Sequence, residues 1–68
     1  MRIKNRLKIV RFHRGLTQDD LYLITNIWPT KISKIERGIF QPSSREKELL
    51  SKALKTSIYK IFPENEKV

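Results

Sequence analysis

The chain has 68 residues, a net charge of +8 and no cysteine. A domain of this size has one small core and is only marginally stable alone, and the lack of cysteine excludes a disulfide or a Cys-based metal site. The single histidine, His13, is too little for a zinc centre and is interpreted as a partly exposed surface residue.

No apolar run approaches the ~18–20 residues that span a bilayer, and charges interrupt the N-terminal segment. We therefore expect no membrane helix and no signal peptide, and a soluble, cytoplasmic protein. The positive charge is concentrated at the N-terminus, where these residues carry it without an intervening acid: Arg2, Lys4, Arg6, Lys8, Arg11 and Arg14. Such an excess attracts polyanions, although from charge alone an anionic membrane surface fits equally well.

The first predicted helix runs from about Ile3 to His13. Ile3, Leu7 and Val10 recur at helical spacing and would face the core. Apolar residues also alternate with charges here, so this segment by itself is compatible with a strand.

A second helix is predicted to start at Thr17, whose hydroxyl can accept a hydrogen bond from a backbone N–H, and Asp20 completes a capping-box pattern. Leu21 and Ile24 are expected to face inward. Asn26 follows and tolerates the left-handed conformation that a tight turn needs.

The third predicted helix runs from about Pro29 to Arg37, since proline suits a first helical position and Gly38 can take a left-handed C-terminal position. Ile32 and Ile35 are expected to pack inward. The remaining face is polar and carries Thr30, Lys31, Ser33, Lys34 and Arg37. Two short helices about three residues apart are the sequence form of a helix-turn-helix, which presents its second helix to a DNA groove.

Two further helices are predicted. Ser43 or Ser44 caps the fourth, whose inward residues are expected to be Leu50, Ala53 and Leu54, with Leu49 beside them. Ser57 is predicted to cap a short fifth helix from Ile58 to Phe62. Residues 64–68 lack periodicity and are interpreted as a flexible tail after a single domain, residues 1–63.

The string GLTQDDL from Gly15, followed by KISKIERG from Lys31 and then Pro42, resembles the Xre-type helix-turn-helix family of phage Cro/CI repressors and bacterial regulators. The match needs no gap from about Asn5 to Phe62. The resemblance implies an all-α fold, a compact five-helix bundle with a central helix-turn-helix, as in lambda-repressor-like DNA-binding domains. It also implies a sequence-specific regulator of transcription that binds double-stranded DNA, and most simply a repressor from a bacterium, an archaeon or a phage.

The resemblance also implies residue roles. The positions that match base-reading residues are Pro29, Thr30, Lys31 and Lys34. The positions that match contacts to the phosphate backbone, or could join them, are Arg14, Thr17, Gln18, Ser33, Arg37 and Gln41. Any of these is alternatively an ordinary solvated side chain. Glu36 matches a glutamate that turns inward and pairs with an arginine of the first helix, here Arg11, so both are expected to be structural.

Three residues depart from the family pattern. Trp28 stands where a capping Ser or Thr is usual, so that cap is lost, and the indole is free to stack on sugar-phosphate, pack on Tyr22 or contact a protein. Tyr22 replaces a small residue where the second and third helices pack closely. Lys55 stands where a helix-ending glycine is common, which implies a small strain.

The family typically forms homodimers through its C-terminal helices, and the matching residues are Ile58, Tyr59, Ile61 and Phe62, some of which must also close the core. The family normally places polar residues at the positions of Ile9 and Phe12. These two, with Ile39 and Phe40, either form an apolar patch for a protein partner, as in an antitoxin or adaptor, or are scattered exposed residues. The sequence offers no catalytic triad, paired carboxylates or phosphate-binding glycine loop, so we expect neither an enzyme nor a cofactor.

Overall fold

A computed structural model describes residues 5–63, which form five α-helices and no strand. The helices are α1 (Leu7–His13), α2 (Gln18–Thr25), α3 (Pro29–Glu36), α4 (Ser44–Leu54) and α5 (Ile58–Ile61). The radius of gyration of 10.7 Å is close to that of a compact chain of this length, so the helices pack as one globule. The strand alternative for the first segment is wrong. The helix begins at Leu7, later than the predicted start at about Ile3, because Asn5 and Arg6 are not helical. Ile3 itself and the predicted tail lie outside the described residues.

The start and end of α2 follow the sequence prediction. The Thr17 hydroxyl accepts from the Asp20 N–H at 3.0 Å, and the Asp20 carboxylate accepts from the Thr17 N–H at 2.9 Å. Asn26 ends the helix in the left-handed conformation, with φ of 66°. Hydrogen bonding to the carboxylate lowers the pKa of Asp20, chiefly through the backbone N–H of Thr17. The capping box is therefore confirmed at both of its hydrogen bonds.

The prediction that Ile24 faces inward is wrong, because its side chain is 57% exposed. The buried residues of α2 are Leu21 and Thr25, which are four apart and share one face. Thr25 can be buried because its hydroxyl donates to the Leu21 carbonyl and accepts from the Ile27 N–H. Ile27, just beyond the helix, supplies the apolar side chain that Ile24 does not.

Helix α3 begins with Pro29 at a first-turn position, after Trp28, which provides no side-chain cap. Ile32 and Ile35 are fully buried, as predicted. Gly38 has φ of 78°, the left-handed conformation expected just after the helix.

Ser43 caps α4 through a second capping box with Glu46, which settles the choice between Ser43 and Ser44. Leu50 and Leu54 are fully buried, whereas Leu49 and Ala53 are half-buried. Lys55 ends the helix with φ of 52°, so a lysine holds the left-handed position where glycine would be unstrained. Ser57 precedes α5, but its side chain makes no capping hydrogen bond, so that predicted cap is wrong.

The core lies between the five helices: α2 packs on α3 and α4, α4 on α5, and α1 on α3. Asn5 ties the chain start to this core: its side-chain amide donates to the Ile35 carbonyl at 2.8 Å, and its oxygen accepts from the Leu7 N–H. Across residues 5–63, no helix has the length and apolar character needed to cross a membrane.

Candidate nucleic-acid interface

The start of α2 and the outer face of α3 border a shallow concavity of about 350 Å³, hereafter the α2–α3 concavity. The residues that line it are Gln18, Pro29, Thr30, Ser33, Lys34 and Arg37. Every one of them is a position that the sequence predicted to contact DNA. The structure therefore brings together residues that are up to nineteen positions apart in the chain.

The composition of α3 explains why this face is open. Ile32, Ile35 and Glu36 turn inward, and the positions between them turn outward by helical geometry. Lys34 and Arg37 lie three apart on the outward face and are both exposed. Among the described residues, those that line the α2–α3 concavity carry positive charge or none, so the surface favours an anion.

A buried ion pair between Arg11 and Glu36 lies next to this concavity. Nε of Arg11 donates to Oε2 of Glu36 at 2.6 Å, and a second guanidinium nitrogen donates to Oε1 at 3.3 Å. The remaining nitrogen of Arg11 donates to the Leu16 carbonyl at 2.9 Å, just before α2. Because the carboxylate of Glu36 is directed inward onto this arginine, it adds little negative charge to the outer face of α3.

Gln18 connects the Arg11–Glu36 ion pair to the α2–α3 concavity. Its Nε2 donates to Oε1 of Glu36 at 3.1 Å, so the side chain is fixed although it also lines the concavity. This hydrogen bond was not predicted, because the sequence shows Gln18 at a helix start but not what faces it. Since one amide proton is used internally, the other proton and the carbonyl oxygen are the groups of Gln18 left to meet a ligand.

Lys31 and Lys34, predicted together as base-reading residues, lie in different surroundings. Lys34 lines the α2–α3 concavity, whereas Lys31 forms an ion pair with Glu46 at the start of α4. The Lys31 ammonium also lies 4.8 Å from the centre of the Phe40 ring. The hydrogen bond from Lys31 is the main cause that lowers the pKa of Glu46. Sequence spacing gives no sign of this pairing, because Lys31 and Glu46 lie in different helices.

Arg14 lies apart from the concavity. Its guanidinium donates to the carbonyls of Leu54 and Lys55 at 2.7 and 3.0 Å and to the Thr56 hydroxyl at 3.2 Å. It therefore binds the C-terminal end of α4, where cations are favoured. The structure does not place Arg14 with the residues grouped with it from the sequence, because the orphan carbonyls of α4 are its partners.

The other predicted phosphate contacts are surface residues. Thr17 is exposed at the α2 cap, and Gln41 is exposed in the loop between α3 and α4. Nε of Arg37 makes only a long hydrogen bond, 3.4 Å, to the Ser33 carbonyl. The side chains of Arg37 and Gln41 can therefore turn towards a ligand at little structural cost, whereas the Thr17 hydroxyl would have to give up its capping hydrogen bond.

Trp28 and Tyr22 stack at the turn that leads into α3. Their ring centroids are 5.3 Å apart with an interplanar angle of 19°, and the indole remains 65% exposed. Of the three placements considered for Trp28, packing on Tyr22 is the one observed. The stack joins α2 to the first residue before α3, where a side-chain cap is lacking.

The four residues predicted at a dimer interface divide between core and surface. Ile61 and Phe62 are buried within the monomer, Ile58 is half-buried and Tyr59 is exposed. Ile61 and Phe62 are therefore the members of the set that close the core, as was expected of some of the four. Ile9 and Phe12 are exposed. Leu23, which the sequence did not single out, and Ile24, which was expected to face inward, are exposed as well.

Within residues 5–63, no group of three or more His, Cys, Asp or Glu side chains is placed to hold a metal ion. Comparison of the chain with protein-family models, with curated proteins and with solved structures finds no match.

Proposed function

We propose that this protein is a sequence-specific regulator of transcription that binds double-stranded DNA, with α2 and α3 acting as a helix-turn-helix. The observation that carries the proposal is the α2–α3 concavity, in which exposed Lys34, Arg37 and Thr30 of α3 stand beside Gln18 at the α2 start. The same helix buries Ile32, Ile35 and Glu36, so one face is held by the core and the other is free.

The dimensions of α3 suit a DNA groove. Eight residues of α-helix are about 12 Å long, and a helix with its side chains is about as wide as the major groove. In this proposal Lys34 donates to guanine O6 or N7, and Thr30 contacts a thymine methyl or donates a hydrogen bond. Pro29 offers apolar contact only. Lys31 is a further base-reading residue, in the position that Glu46 gives it.

The remaining contacts set affinity and register. Gln18, Thr17, Ser33, Arg37 and Gln41 are proposed to meet phosphates, which carry no sequence information themselves. The net charge of +8 supports a polyanionic partner, and binding is expected to weaken steeply with salt as counterions are released. Repression by promoter occlusion in the cytoplasm of a bacterial, archaeal or phage-infected cell is the simplest use of such binding.

A homodimer completes the proposal, because one small reading surface gives limited selectivity. Two-fold pairing would set the two α3 helices about 34 Å apart, on successive major grooves of a palindromic operator. Tyr59 is the exposed member of the predicted interface and the residue at which pairing would begin. Sedimentation at about 100 µM, a concentration at which interfaces far weaker than the usual nanomolar range are populated, tests this: a monomer there removes the dimer and leaves the DNA-binding proposal standing.

The deciding experiment is a selection of bound duplexes from random DNA, followed by salt-dependent binding of variants to the recovered sequence and to random DNA. We expect Lys34→Ala and Lys31→Ala to change sequence preference, and Gln18→Ala to weaken all duplexes alike. Lys60→Ala, which removes the same charge from an exposed position of α5, is the matched control. Failure to enrich any sequence, or equal losses for the lysine variants and for Lys60→Ala, contradicts the proposal.

A second candidate, an antitoxin or adaptor that binds another protein, is favoured by one observation. Ile9 and Phe12 are exposed on α1, where the ammonium of the exposed Lys8 lies 5.8 Å from the centre of the Phe12 ring. An apolar and basic surface of this kind suits an acidic protein partner. A partner that co-purifies with the chain and is lost on Phe12→Ser, with DNA binding retained, would support this function.

A further inference from the structure

We propose that Glu46 is a positioning residue for Lys31 and that the pair sets the sequence selectivity of DNA binding. In this proposal Glu46 holds the Lys31 ammonium in one place. The remaining N–H donors of the ammonium then meet a base edge and not the nearest phosphate. The inference rests on the proposed DNA-binding function and adds a determinant of selectivity that lies in α4, outside the helix that reads the DNA.

Glu46 is itself fixed by the cap of α4. One carboxylate oxygen accepts from the Ser43 N–H at 2.9 Å, while the Glu46 N–H donates to the Ser43 hydroxyl at 3.1 Å. The other oxygen, Oε2, pairs with Nζ of Lys31. Because the two oxygens have separate partners, the cap holds the carboxylate still while it binds the lysine. A glutamate held only by the lysine would move with it.

The Phe40 ring is the second group that contacts the Lys31 ammonium. The ammonium lies 4.8 Å from the ring centre, a cation–π distance, so it sits between a carboxylate and an aromatic face. The Lys31 side chain is nevertheless 37% exposed, so a ligand can still reach it. An ammonium has three donors, and one is used by Glu46.

This arrangement bears on selectivity because a free lysine behaves as a mobile point charge. It reaches phosphates of any sequence and adds to non-specific and specific binding alike. A lysine that is already partnered gains less from a phosphate, and its rotamer freedom is lost before DNA arrives. Its open donors can then add affinity only where a base acceptor lies in their path.

The test compares Glu46→Gln with Glu48→Gln. Glutamine at the third helical position supports a capping box, so Glu46→Gln keeps the α4 cap and removes the charge that binds Lys31. Glu48 is exposed two positions along, on a different face of α4, and its substitution changes the net charge equally. Thermal melting of both variants checks that the fold is retained.

We expect Glu46→Gln to bind random-sequence DNA more tightly. The slope of log K against log salt should steepen by about 0.9, the value for one added phosphate contact. The ratio of affinities for the selected duplex and for random DNA should fall by about two- to fivefold, the range of single exposed ion pairs. Phe40→Leu, which leaves Glu46 in place, should lower the same ratio by a smaller factor and serves if Glu46→Gln does not fold.

The outcomes separate this inference from the proposed function. In one outcome the wild-type protein prefers one sequence while Glu46→Gln, Glu48→Gln and Phe40→Leu all have the same ratio of affinities for the selected duplex and for random DNA. That result overturns the positioning role and leaves the DNA-binding proposal intact. A wild-type protein without any sequence preference overturns both. A lower ratio for Glu46→Gln and Phe40→Leu but not for Glu48→Gln supports the inference, since a purely structural role would alter melting and not selectivity.

Discussion

Nε of Arg11 lies 2.6 Å from Oε2 of Glu36, and the two side chains are only 6% and 4% exposed. The pair joins α1 to the last residue of α3, next to Arg37 in the α2–α3 concavity. Gln18 bonds the same carboxylate, so α1, α2 and α3 meet at one buried anion. The orientation of the proposed reading helix therefore depends on a polar contact inside the core.

Glu36→Ala should lower the free energy of unfolding by about 3–5 kcal/mol, because it leaves the Arg11 guanidinium buried without its anion. Urea or thermal unfolding measures this, and a chain that no longer folds at room temperature agrees with it. Glu48→Ala removes an exposed carboxylate and should change stability by less than about 0.5 kcal/mol. A Glu36→Ala melting temperature within about one degree of wild type, well under the 4–8 °C expected per kcal/mol, would show that the pair is not structural.

Ser43→Ala should cost about 1 kcal/mol, because the hydroxyl of Ser43 accepts the Glu46 N–H at the start of α4. Ser57→Ala is the matched control, since Ser57 holds the equivalent position before α5 without a capping hydrogen bond. Its effect on the unfolding midpoint should be much smaller. Equal losses for the two variants would mean that the cap contributes nothing beyond the general change from serine to alanine.

The free energy of unfolding should fall on acidification, because the carboxylates of the two capping boxes become protonated. Folding lowers the pKa of Asp20 and of Glu46 from their ordinary values of 3.8 and 4.5. Their contribution is thus fully present above those ordinary values and is lost as the pH falls through the lower pKa values of the folded state. Carboxyl-carbon NMR titration should give both midpoints below those of the same residues in the urea-unfolded chain. Coincident midpoints would contradict the prediction.

The limits of sequence interpretation are visible in particular residues. Thr17, Asn26, Pro29 and Gly38 were predictable because caps and turns depend on a few neighbouring atoms. The exposure of Ile24 was not predictable. It depends on two contacts that the sequence does not show: Thr25 is buried because its hydroxyl finds hydrogen-bond partners, and Ile27 fills the core instead of Ile24.

In the candidate site, too, features set by neighbouring residues were predictable and features set by tertiary contacts were not. The outward positions of α3 follow from its helical period, so the lining of the α2–α3 concavity could be anticipated. The partners of Lys31 and Arg14 lie in or beside α4, at positions remote in sequence. Long, flexible cations select partners by three-dimensional proximity, and neither spacing nor charge pattern encodes which acceptor is nearest.

Lys55→Gly should stabilise the protein by about 0.5–1 kcal/mol. Lys55 ends α4 at φ of 52°, a conformation that costs a residue with a Cβ atom roughly 1–2 kcal/mol, and glycine removes that cost against its larger unfolded-state entropy. Asn26→Gly, at φ of 66°, is the comparison, because asparagine already tolerates this region and should gain less. A Lys55→Gly variant that unfolds at lower urea than wild type would refute the strain.

The Tyr22–Trp28 stack should couple the turn to α2 by about 0.5–1.5 kcal/mol in a double-mutant cycle of Tyr22→Leu and Trp28→Leu. Leucine keeps an apolar side chain at each position, so the coupling isolates the ring contact at 5.3 Å. Since Trp28 is the only tryptophan and directly precedes α3, its fluorescence reports on the turn between α2 and α3. DNA that engages α3 should change the emission, and Tyr22→Leu should raise the mobility of the indole measured by anisotropy decay. Zero coupling with unaltered anisotropy would mean that Trp28 is held by the backbone of the turn and not by Tyr22.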